Sequence, residues 1–482
     1  MEHKTSTIKY DDRVAKGFII TTLVWGTLGL TFGLWIATAL VVPSINMGQD
    51  WLNFGRFRTA HTSALLYGFV LSTTFAVWYY GSQRLLKIPL AAPKLAFFHL
   101  ITYNLVILSA VFGAIVGATT ARRYSEFEWP VALFLVISWI SWGMHIFIMI
   151  VSRRERTLYV SIWYFVATFL GIGIVYVFNN LEVPTIFVTG MGDWWHSVSL
   201  YSGTNSANIH WWFGHNAVGF VLTVPIVGVS YYMIPKRAKQ VLFSYRLSLW
   251  AFWGLIFLYL WVGPHHLLFS SLPDWIQTLG MLFSLLLILP SWGSMINLLL
   301  TASGKWELLR TDPVFKFLII GSTFYGLSTL EGPIQAIRSV NALSHYTDWM
   351  VGHVHSGALG WVGFTLIGAI YVIVPEIWKR PLYSNKIAEQ QFWIQTLGIV
   401  LYAVSMWIAG ITQGLMWRTT DVYGGLVYSF LDTVLVLQPY YIIRAVGGSF
   451  YLYGFCMLGY NIYKTISPAR YKKEQTSAAT VV

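Results

Sequence analysis

WMVGHVHSGALG, residues 349–360, places His353 and His355 two positions apart at the head of an apolar run that ends near Val374. At about 100° per residue on a helix, two positions separate side chains by about 200°, so these imidazoles leave the helix on opposite sides. Ligands meant for a single metal would sit three or four positions apart, on one face. The stretch therefore predicts one helix that serves two different cofactors.

Composition sets the medium in which that helix sits. Of the 482 residues, 56% are hydrophobic and 10% charged, with a mean hydropathy of +0.60, whereas an ordinary soluble domain is about 25% charged. The chain reads as an all-α integral membrane protein. Its net charge of +12 would suggest nucleic acid in a soluble protein. Here the basic residues lie in short loops between apolar runs, where they set topology, and no nucleic-acid partner is expected. The single cysteine, Cys456, excludes a disulfide framework, a C-x-x-C-H site for covalent haem and a cysteine-rich cluster within this chain. Any such centre must belong to a partner. The first apolar run is too long for a signal segment and lacks an A-x-A end, so it should remain as a span.

With about 20 apolar residues per crossing, twelve helices are expected. The first six are Gly17 to Val42, His61 to Leu85, Leu95 to Gly117, Pro130 to Val151, Leu158 to Phe178 and Trp211 to Ile234. The remainder are Leu247 to Pro264, Trp275 to Leu300, Phe315 to Ile337, Trp349 to Val374, Phe392 to Met416 and Leu437 to Tyr463. They form a single membrane-integral domain over 1–482, with short tails at about 1–16 and 465–482, and no internal repeat is evident. The termini and alternate loops hold 24 of the 31 Lys and Arg, so the positive-inside rule puts both termini in the cytoplasm. The longest outer loop, Leu181 to His210, reads as a folded cap or docking surface.

These directions sort the twelve histidines by depth. His61 opens the second helix, His215 lies one turn into the sixth, His265 and His266 close the seventh, and His353 and His355 open the tenth; all fall in the outer third. Polar groups in a bilayer are costly and face functional interiors, and imidazole suits iron and copper. A six-coordinate haem takes two of these ligands, a five-coordinate haem one and a copper ion three. His265 and His266 follow Pro264, whose distortion of the helix end can turn both toward one ion, with His215 as third ligand. One of His353 and His355 then faces this copper across a haem, and the other faces His61 across a second haem. His99 and His145, at cytoplasmic helix ends, read as ordinary hydrogen-bonded histidines.

Other side chains carry chemistry near this layer. Tyr259 precedes His266 by seven residues, two helical turns on nearly the same face, where a phenol can give an electron and a proton; the competing reading is a tyrosine bonded to a neighbouring helix. Glu331, in TLEGP, is a carboxylate inside the membrane and a functional candidate for that reason. Arg58 and Arg444 are cations suited to haem propionates. Tyr231, Ser248, Thr301 and Tyr325 make a hydroxyl ladder from the cytoplasm toward Tyr259.

The motifs HTSALLYGF from His61, GHNAV around His215, YLWVGPHH from Tyr259 and GHVHSGALGW from Gly352 resemble the catalytic subunit of haem-copper oxidases over the whole twelve-helix core. The more familiar oxidases carry the active-site tyrosine four residues after the first copper histidine, where this chain has Gly219. Tyr259 on the seventh helix instead resembles the C family, the cbb3-type cytochrome c oxidases. The resemblance implies that His61 and His355 hold a low-spin haem b, His353 a high-spin haem b3, and His215, His265 and His266 the copper, with Tyr259 covalently joined to His215. It places Glu331 near haem b3 and His345 near the propionates, with a calcium ion beside them, and it makes the hydroxyl ladder the family's single proton route. The implied activity is dioxygen reduction to water with electrons from cytochrome c, coupled to proton uptake and pumping in a bacterial inner membrane. The implied partners are monohaem and dihaem cytochrome c subunits and a small single-helix subunit.

Two alternatives differ in sequence features. A nitric oxide reductase shares the six histidines but binds non-haem iron, with a glutamate four residues after the first metal histidine and no such tyrosine; Gly219 and Tyr259 argue against it. A transporter without redox chemistry explains twelve helices but not the histidine layer.

Overall fold

In hydrocarbon every backbone N–H and C=O must be satisfied within the segment, and in the computed structural model each apolar run is helical. Residues 8–190 and 194–467 are described; His3 and the end of the C-terminal tail lie outside them. The first six long helices are α1 Arg13–Ala39, α2 Phe54–Leu85, α3 Pro93–Val116, α4 Trp129–Val151, α5 Val160–Asn179 and α6 Gly203–Ala238. They are followed by α7 Tyr245–Tyr259, then α8 Asp274–Thr301, α9 Pro313–Ala336, α10 Asp348–Trp378, α11 Asn385–Arg418 and α12 Phe430–Ile466. Eleven of these are long and apolar enough to cross a membrane. The twelfth, α7, has 15 residues and is extended by a 3-10 turn over Gly263–Leu267. The ends of the chain meet where Gly26 of α1 lies against the ring of Phe455 of α12.

Two of the histidine-bearing helices begin well before hydropathy suggests, and this moves their histidines inward. Helix α2 starts at Phe54 and α6 at Gly203, so His61 and His215 lie farther along their helices than expected, whereas α10 starts at Asp348, one residue from its expected start. The extra turns are polar because they stand at the helix mouth, where capping replaces lipid burial. Asn53 accepts from Arg56 N at 2.9 Å, and Thr347 accepts from Trp349 N at 3.3 Å, each satisfying an end donor. Within Leu181 to His210, Glu182–Pro184 (β1) pairs antiparallel with Ser197–Ser199 (β2). The cap is tied to α4 by Trp129 Nε1 donating to Trp194 O at 3.0 Å.

A repeat invisible in the letters appears in the hydrogen bonds. Between α7 and α8, Ser244 N donates to Asn297 Oδ1 at 2.9 Å, Asn297 Nδ2 donates to Ser244 O at 2.8 Å, and Phe243 N donates to Thr301 Oγ1 at 3.1 Å. Between α11 and α12 the same bonds recur: Ser384 N to Asn461 Oδ1 at 3.1 Å, Asn461 Nδ2 to Ser384 O at 2.9 Å, and Tyr383 N to Thr465 Oγ1 at 3.0 Å. Each asparagine also reaches a tyrosine hydroxyl, Tyr231 at 3.5 Å and Tyr371 at 3.3 Å. The two halves share this clamp at the basic end of the bundle, which corrects the expectation of no repeat. Because Asn461 is fully buried, its replacement by Ala orphans Ser384 N and O. It is expected to cost about 1–3 kcal/mol, read as a lower thermal midpoint of the detergent-solubilised protein.

Short π-helical segments interrupt α2, α6 and α10 at Ala64–Leu71, Val218–Thr223 and Ser356–Gly363. Each begins within three residues of a histidine of the layer. Such bulges recur at functional sites because they re-aim side chains without breaking the helix.

Candidate functional site

The tenth-helix pair separates as its spacing requires. His355 points to α2, where its ring lies 6.4 Å from that of His61 and only 13° from parallel. His61 Nδ1 bonds Gly29 O at 2.7 Å and His355 Nδ1 bonds Val351 O at 2.8 Å. Both Nδ1 atoms are therefore protonated donors, and both Nε2 atoms remain as free lone pairs. Two imidazoles that bond one ion from opposite sides at about 2 Å hold their ring centres roughly 6 Å apart, so the pair fits an axially ligated iron. Both rings keep accessible surface although they lie inside the bundle, as side chains lining a cavity do. Tyr402 stacks on His355 at 4.5 Å.

Beside this pair lies Arg444, whose guanidinium is buried, 5.4 Å from the Tyr402 ring and 4.0 Å from Asp348 Oδ1. Its Nε has no hydrogen-bond partner. A buried cation with an orphaned donor requires an anion, and a haem propionate answers that need. Arg58 is instead exposed, with Arg123 and Glu126 as its charged neighbours. Glu126 has a buried oxygen without a partner, and burial raises its carboxyl above the ordinary range. His345 is half-buried, stacked on Tyr346 at 4.0 Å.

His353 turns the other way. Its Nδ1 lies 3.2 Å from Glu331 Oε2, while Glu331 Oε1 accepts from Trp349 Nε1 at 2.9 Å. A carboxylate on Nδ1 fixes the tautomer and makes Nε2 a stronger ligand. The side next to Nε2 is kept open by Gly332, where a Cβ would come within 3.3 Å of that nitrogen. Neither Trp349 nor Gly332 is singled out by the sequence, because nothing in their spacing marks them.

Three more imidazoles converge across from His353. His215, His265 and His266 bring one ligand atom each to within 4.8 Å of one another, the only such group of three His, Cys, Asp or Glu among the described residues. His215 Nδ1 and His266 Nε2 are 3.1 Å apart. Two nitrogens bonded to one tetrahedral ion at about 2 Å stand roughly 3.3 Å apart, so this edge is already formed. Ser284 Oγ engages His265 Nδ1, which leaves its Nε2. Trp211 stacks on His266 at 4.0 Å. An all-imidazole donor set suits copper. The calcium expectation finds no comparable acidic cage among the described residues.

Tyr259 lies beside this triad, but not for the reason its spacing suggested. Helix α7 ends at Tyr259 itself and Gly263-Pro264 turns the chain, so the two-turn argument, which assumed a continuous helix, fails. The phenol reaches the site by packing on α6 instead. Its ring is 5.8 Å from that of His215, and a Cβ on Gly219 would meet its Cδ1 at 2.9 Å. His215 Nε2, on the ring edge away from the triad, is buried without a partner.

The hydroxyl ladder is buried throughout, yet none of its four members bonds another directly. Ser248 Oγ donates to Tyr245 O at 2.7 Å and Thr301 Oγ1 to Asn297 O at 2.6 Å. Tyr231 receives Asn297 Nδ2, and the Tyr325 hydroxyl has no partner. Asn297 is the connector that the sequence reading lacked. His99 and His145 are buried and bonded, to the Tyr79 hydroxyl at 3.0 Å and to Trp78 Nε1 and Ala91 O at 3.2 and 3.1 Å.

Residues 13–450 match the family model described as cytochrome C and quinol oxidase polypeptide I. The chain is 45% identical to the CcoN1 subunit of the cbb3-type cytochrome c oxidase of Stutzerimonas stutzeri over 98% of both. It is 46% identical to a bacteroid cytochrome c oxidase subunit 1 homologue of Bradyrhizobium diazoefficiens, over 92% of this chain and 80% of that one. Among solved structures, a haem-copper terminal oxidase dimer superposes with a TM-score of 0.71 at 18% identity, covering 94% of this chain and 84% of that one, a likeness of fold.

Proposed function

The chain belongs to the cytochrome C and quinol oxidase polypeptide I family, on its cbb3-type branch, and from that premise we propose which residues perform its terminal-oxidase chemistry. It is the oxidoreductase subunit of a multi-subunit, multi-pass membrane complex. The low-spin haem b belongs between His61 and His355, the high-spin haem b3 on His353, and the copper on His215, His265 and His266. The observation that carries this reading is the division of α10: His355 faces His61 in a nearly parallel pair, while His353 is held by Glu331 on the other side.

When bound, the two haems and copper supply electron transfer and the binding and reduction of dioxygen to water. The protein supplies position and protons. Arg444 neutralises propionate charge beside His355, and Arg58 and His345 serve the same edge, with Glu126 available to a calcium ion there. Tyr259 holds a phenolic proton and an electron next to the triad, and the orphaned Nε2 of His215 is the atom that would bond a ring carbon of Tyr259, the N–H and C–H hydrogens leaving as two protons and two electrons, with dioxygen, the substrate, as the oxidant. Protons enter from the basic end, which the positive-inside rule makes the cytoplasm. They pass along Thr301, Asn297, Tyr231, Ser248 and Tyr325, and part of that flow is pumped. Electrons come from partner cytochrome c subunits, one monohaem and one dihaem, which provide the covalent haem that this chain's lone cysteine cannot hold. A small single-helix subunit completes the complex in a bacterial inner membrane. Residues 1–482 act as one membrane unit.

The purified complex is expected to show reduced b-type haem bands and to contain copper without non-haem iron, by optical spectroscopy and metal analysis. Absence of b bands rejects the reading, and iron in place of copper turns it toward nitric oxide reduction. Gly219 already argues against the latter, since a glutamate there would drive its Cβ into Tyr259.

Glu331→Gln removes the charge on His353 Nδ1 while keeping an acceptor. A less basic imidazole stabilises oxidised iron less, so the high-spin haem potential should rise in a redox titration. Turnover should fall about 10–100-fold, as for other carboxylate partners of ligating histidines.

A further inference from the structure

Each π-helical segment of the bundle starts three residues after a layer histidine: Ala64 after His61, Val218 after His215 and Ser356 after His353. The segments in α2 and α10 are both eight residues long. In both, the carbonyl of the fourth residue accepts from a tyrosine hydroxyl on another helix. Tyr103 of α3 donates to Tyr67 O at 2.9 Å, and Tyr451 of α12 donates to Leu359 O at 3.1 Å. Both tyrosines are buried. A π turn is rare because it is less favourable than an α turn, and a side chain that enters the carbonyl ladder from outside is one of the few things that hold such a distortion. Gly363 leaves room for that side chain, since a Cβ there would strike the Tyr451 oxygen. The shorter α6 segment is met instead by the Tyr259 ring at Gly219.

The tyrosine on α10 stands on a closed chain of hydrogen bonds. Asn461, the clamp residue of the second half, donates through Nδ2 to the Tyr371 hydroxyl at 3.3 Å, which donates to Gln391 Oε1 at 2.5 Å. Gln391 Nε2 donates to Gln395 Oε1 at 3.0 Å, and Gln395 Nε2 donates to Tyr451 O at 3.2 Å. All these side chains are buried. In the first half no member of the hydroxyl ladder bonds another directly, whereas here each link closes on the next. The middle links are carboxamides, which keep donor and acceptor on separate atoms and do not titrate near neutral pH. The chain therefore fixes positions rather than moving protons, and it ends on the backbone of the residue whose hydroxyl holds the π turn.

We propose that Tyr451 and Tyr103 are positioning residues, whose hydroxyls hold the π turns of α10 and α2 and so set the directions in which His355 and His61 present Nε2 to the low-spin haem. The inference rests on the proposed placement of that haem between the two imidazoles. The dependence is strongest for His355. Its Nδ1 bonds Val351 O, a carbonyl of its own helix, so its ring moves with the α-helical stretch that the π turn re-aims. His61 is tied to Gly29 O on α1 and His353 to Glu331 on α9, which gives each an anchor outside its own helix. Without the Tyr451 hydroxyl the turn relaxes toward α geometry, and His355 leaves its 13° alignment with His61.

The test uses the intact complex, purified through a tag on this chain. Tyr451→Phe removes one oxygen and keeps the ring. The largest g value of the ferric low-spin haem should rise in electron paramagnetic resonance, because it grows as two axial imidazole planes depart from parallel. Weaker axial donation stabilises ferric iron less, so the low-spin midpoint potential should rise by the equivalent of about threefold in the reduction equilibrium, about 28 mV. The high-spin signal and copper content should stay at wild-type values. Tyr103→Phe should give smaller shifts of the same sign. Tyr245→Phe, which loses a hydroxyl bond to Leu158 O of 3.0 Å outside any π turn, should give none. Wild-type g values and potential in Tyr451→Phe overturn the proposal even if the thermal midpoint falls, because plain packing predicts that outcome. Should Tyr451→Phe not assemble, Tyr103→Phe decides by the same two readouts. Selective loss of the low-spin haem, with the high-spin haem and copper retained, is the extreme of loosened ligation and supports the proposal; loss of all three centres in both variants overturns it. A wild-type complex without a bis-imidazole low-spin signal is the separate result that rejects the haem placement itself.

Discussion

Tyr259→Phe is expected to reduce dioxygen consumption by about 10²–10⁴-fold, the usual worth of a positioned proton donor, while the b-haem spectrum stays close to wild type. The variant deletes one oxygen and little else. Beyond the hydrogen-bonding contact of its hydroxyl with Thr223, Tyr259 meets its neighbours through ring carbons: Cδ1, Cγ and Cε1 face Gly219, and the ring lies 6.2 Å from that of Phe220. Those contacts survive in phenylalanine, so the triad should keep its geometry. The lost hydroxyl has few substitutes, because the one carboxylate bonded to a histidine of the layer, Glu331, serves His353 and Trp349 instead. Oxygen-electrode turnover measured beside the reduced spectrum separates the two effects. Turnover within about threefold of wild type would remove Tyr259 from the chemistry, since even a weak general acid contributes more than that.

What could be read from the letters was whatever repeats on a helix or is costly in a membrane. Six histidines in apolar surroundings announce themselves by that cost, and the two-residue spacing of His353 and His355 dictates opposed directions before any neighbour is known. The grip of Glu331 on His353 joins residues 22 positions apart on separate helices, and no local period encodes it. The helix mouths were misjudged for a related reason. Hydropathy detects lipid contact, but the first turn of α2 is held by the Asn53 cap and that of α6 is met by Arg122 of an overlying loop, which donates to Ser206 O at 3.4 Å. Tyr259 was found through a helical spacing that does not exist beyond residue 259. The true cause, its packing on Gly219, depends on a side chain that is absent, and an absence carries no pattern in a single sequence. The Asn297 and Asn461 clamps were hidden because only a few residues of each unit are constrained, while the intervening positions merely have to be apolar.

Gly219→Ala should be nearly as damaging as losing the phenol, although it adds one methyl group. The new Cβ would stand 2.9 Å from Cδ1 and 3.1 Å from Cγ of Tyr259, closer than packed carbons tolerate, so the tyrosine ring must move. Little room exists for that movement, with His215 at 5.8 Å and Phe220 at 6.2 Å between ring centres on α6. Overpacking of this kind costs about 1–3 kcal/mol, and displacing a reacting group by about 1 Å can cost 10²-fold in rate. The expected result is a modest fall in thermal midpoint with a loss of turnover near two orders of magnitude. Copper content should be retained, because the three atoms nearest the added methyl all belong to Tyr259 and none to an imidazole. The distinction matters for function, since a glutamate at 219 would be needed for the non-haem iron alternative and must enter through the same clash. Gly219→Glu should therefore lose dioxygen turnover without gaining nitric oxide turnover. A Gly219→Ala protein with wild-type oxygen consumption would show that the ring is free to yield, and that the contact between α6 and α7 does not set the position of Tyr259.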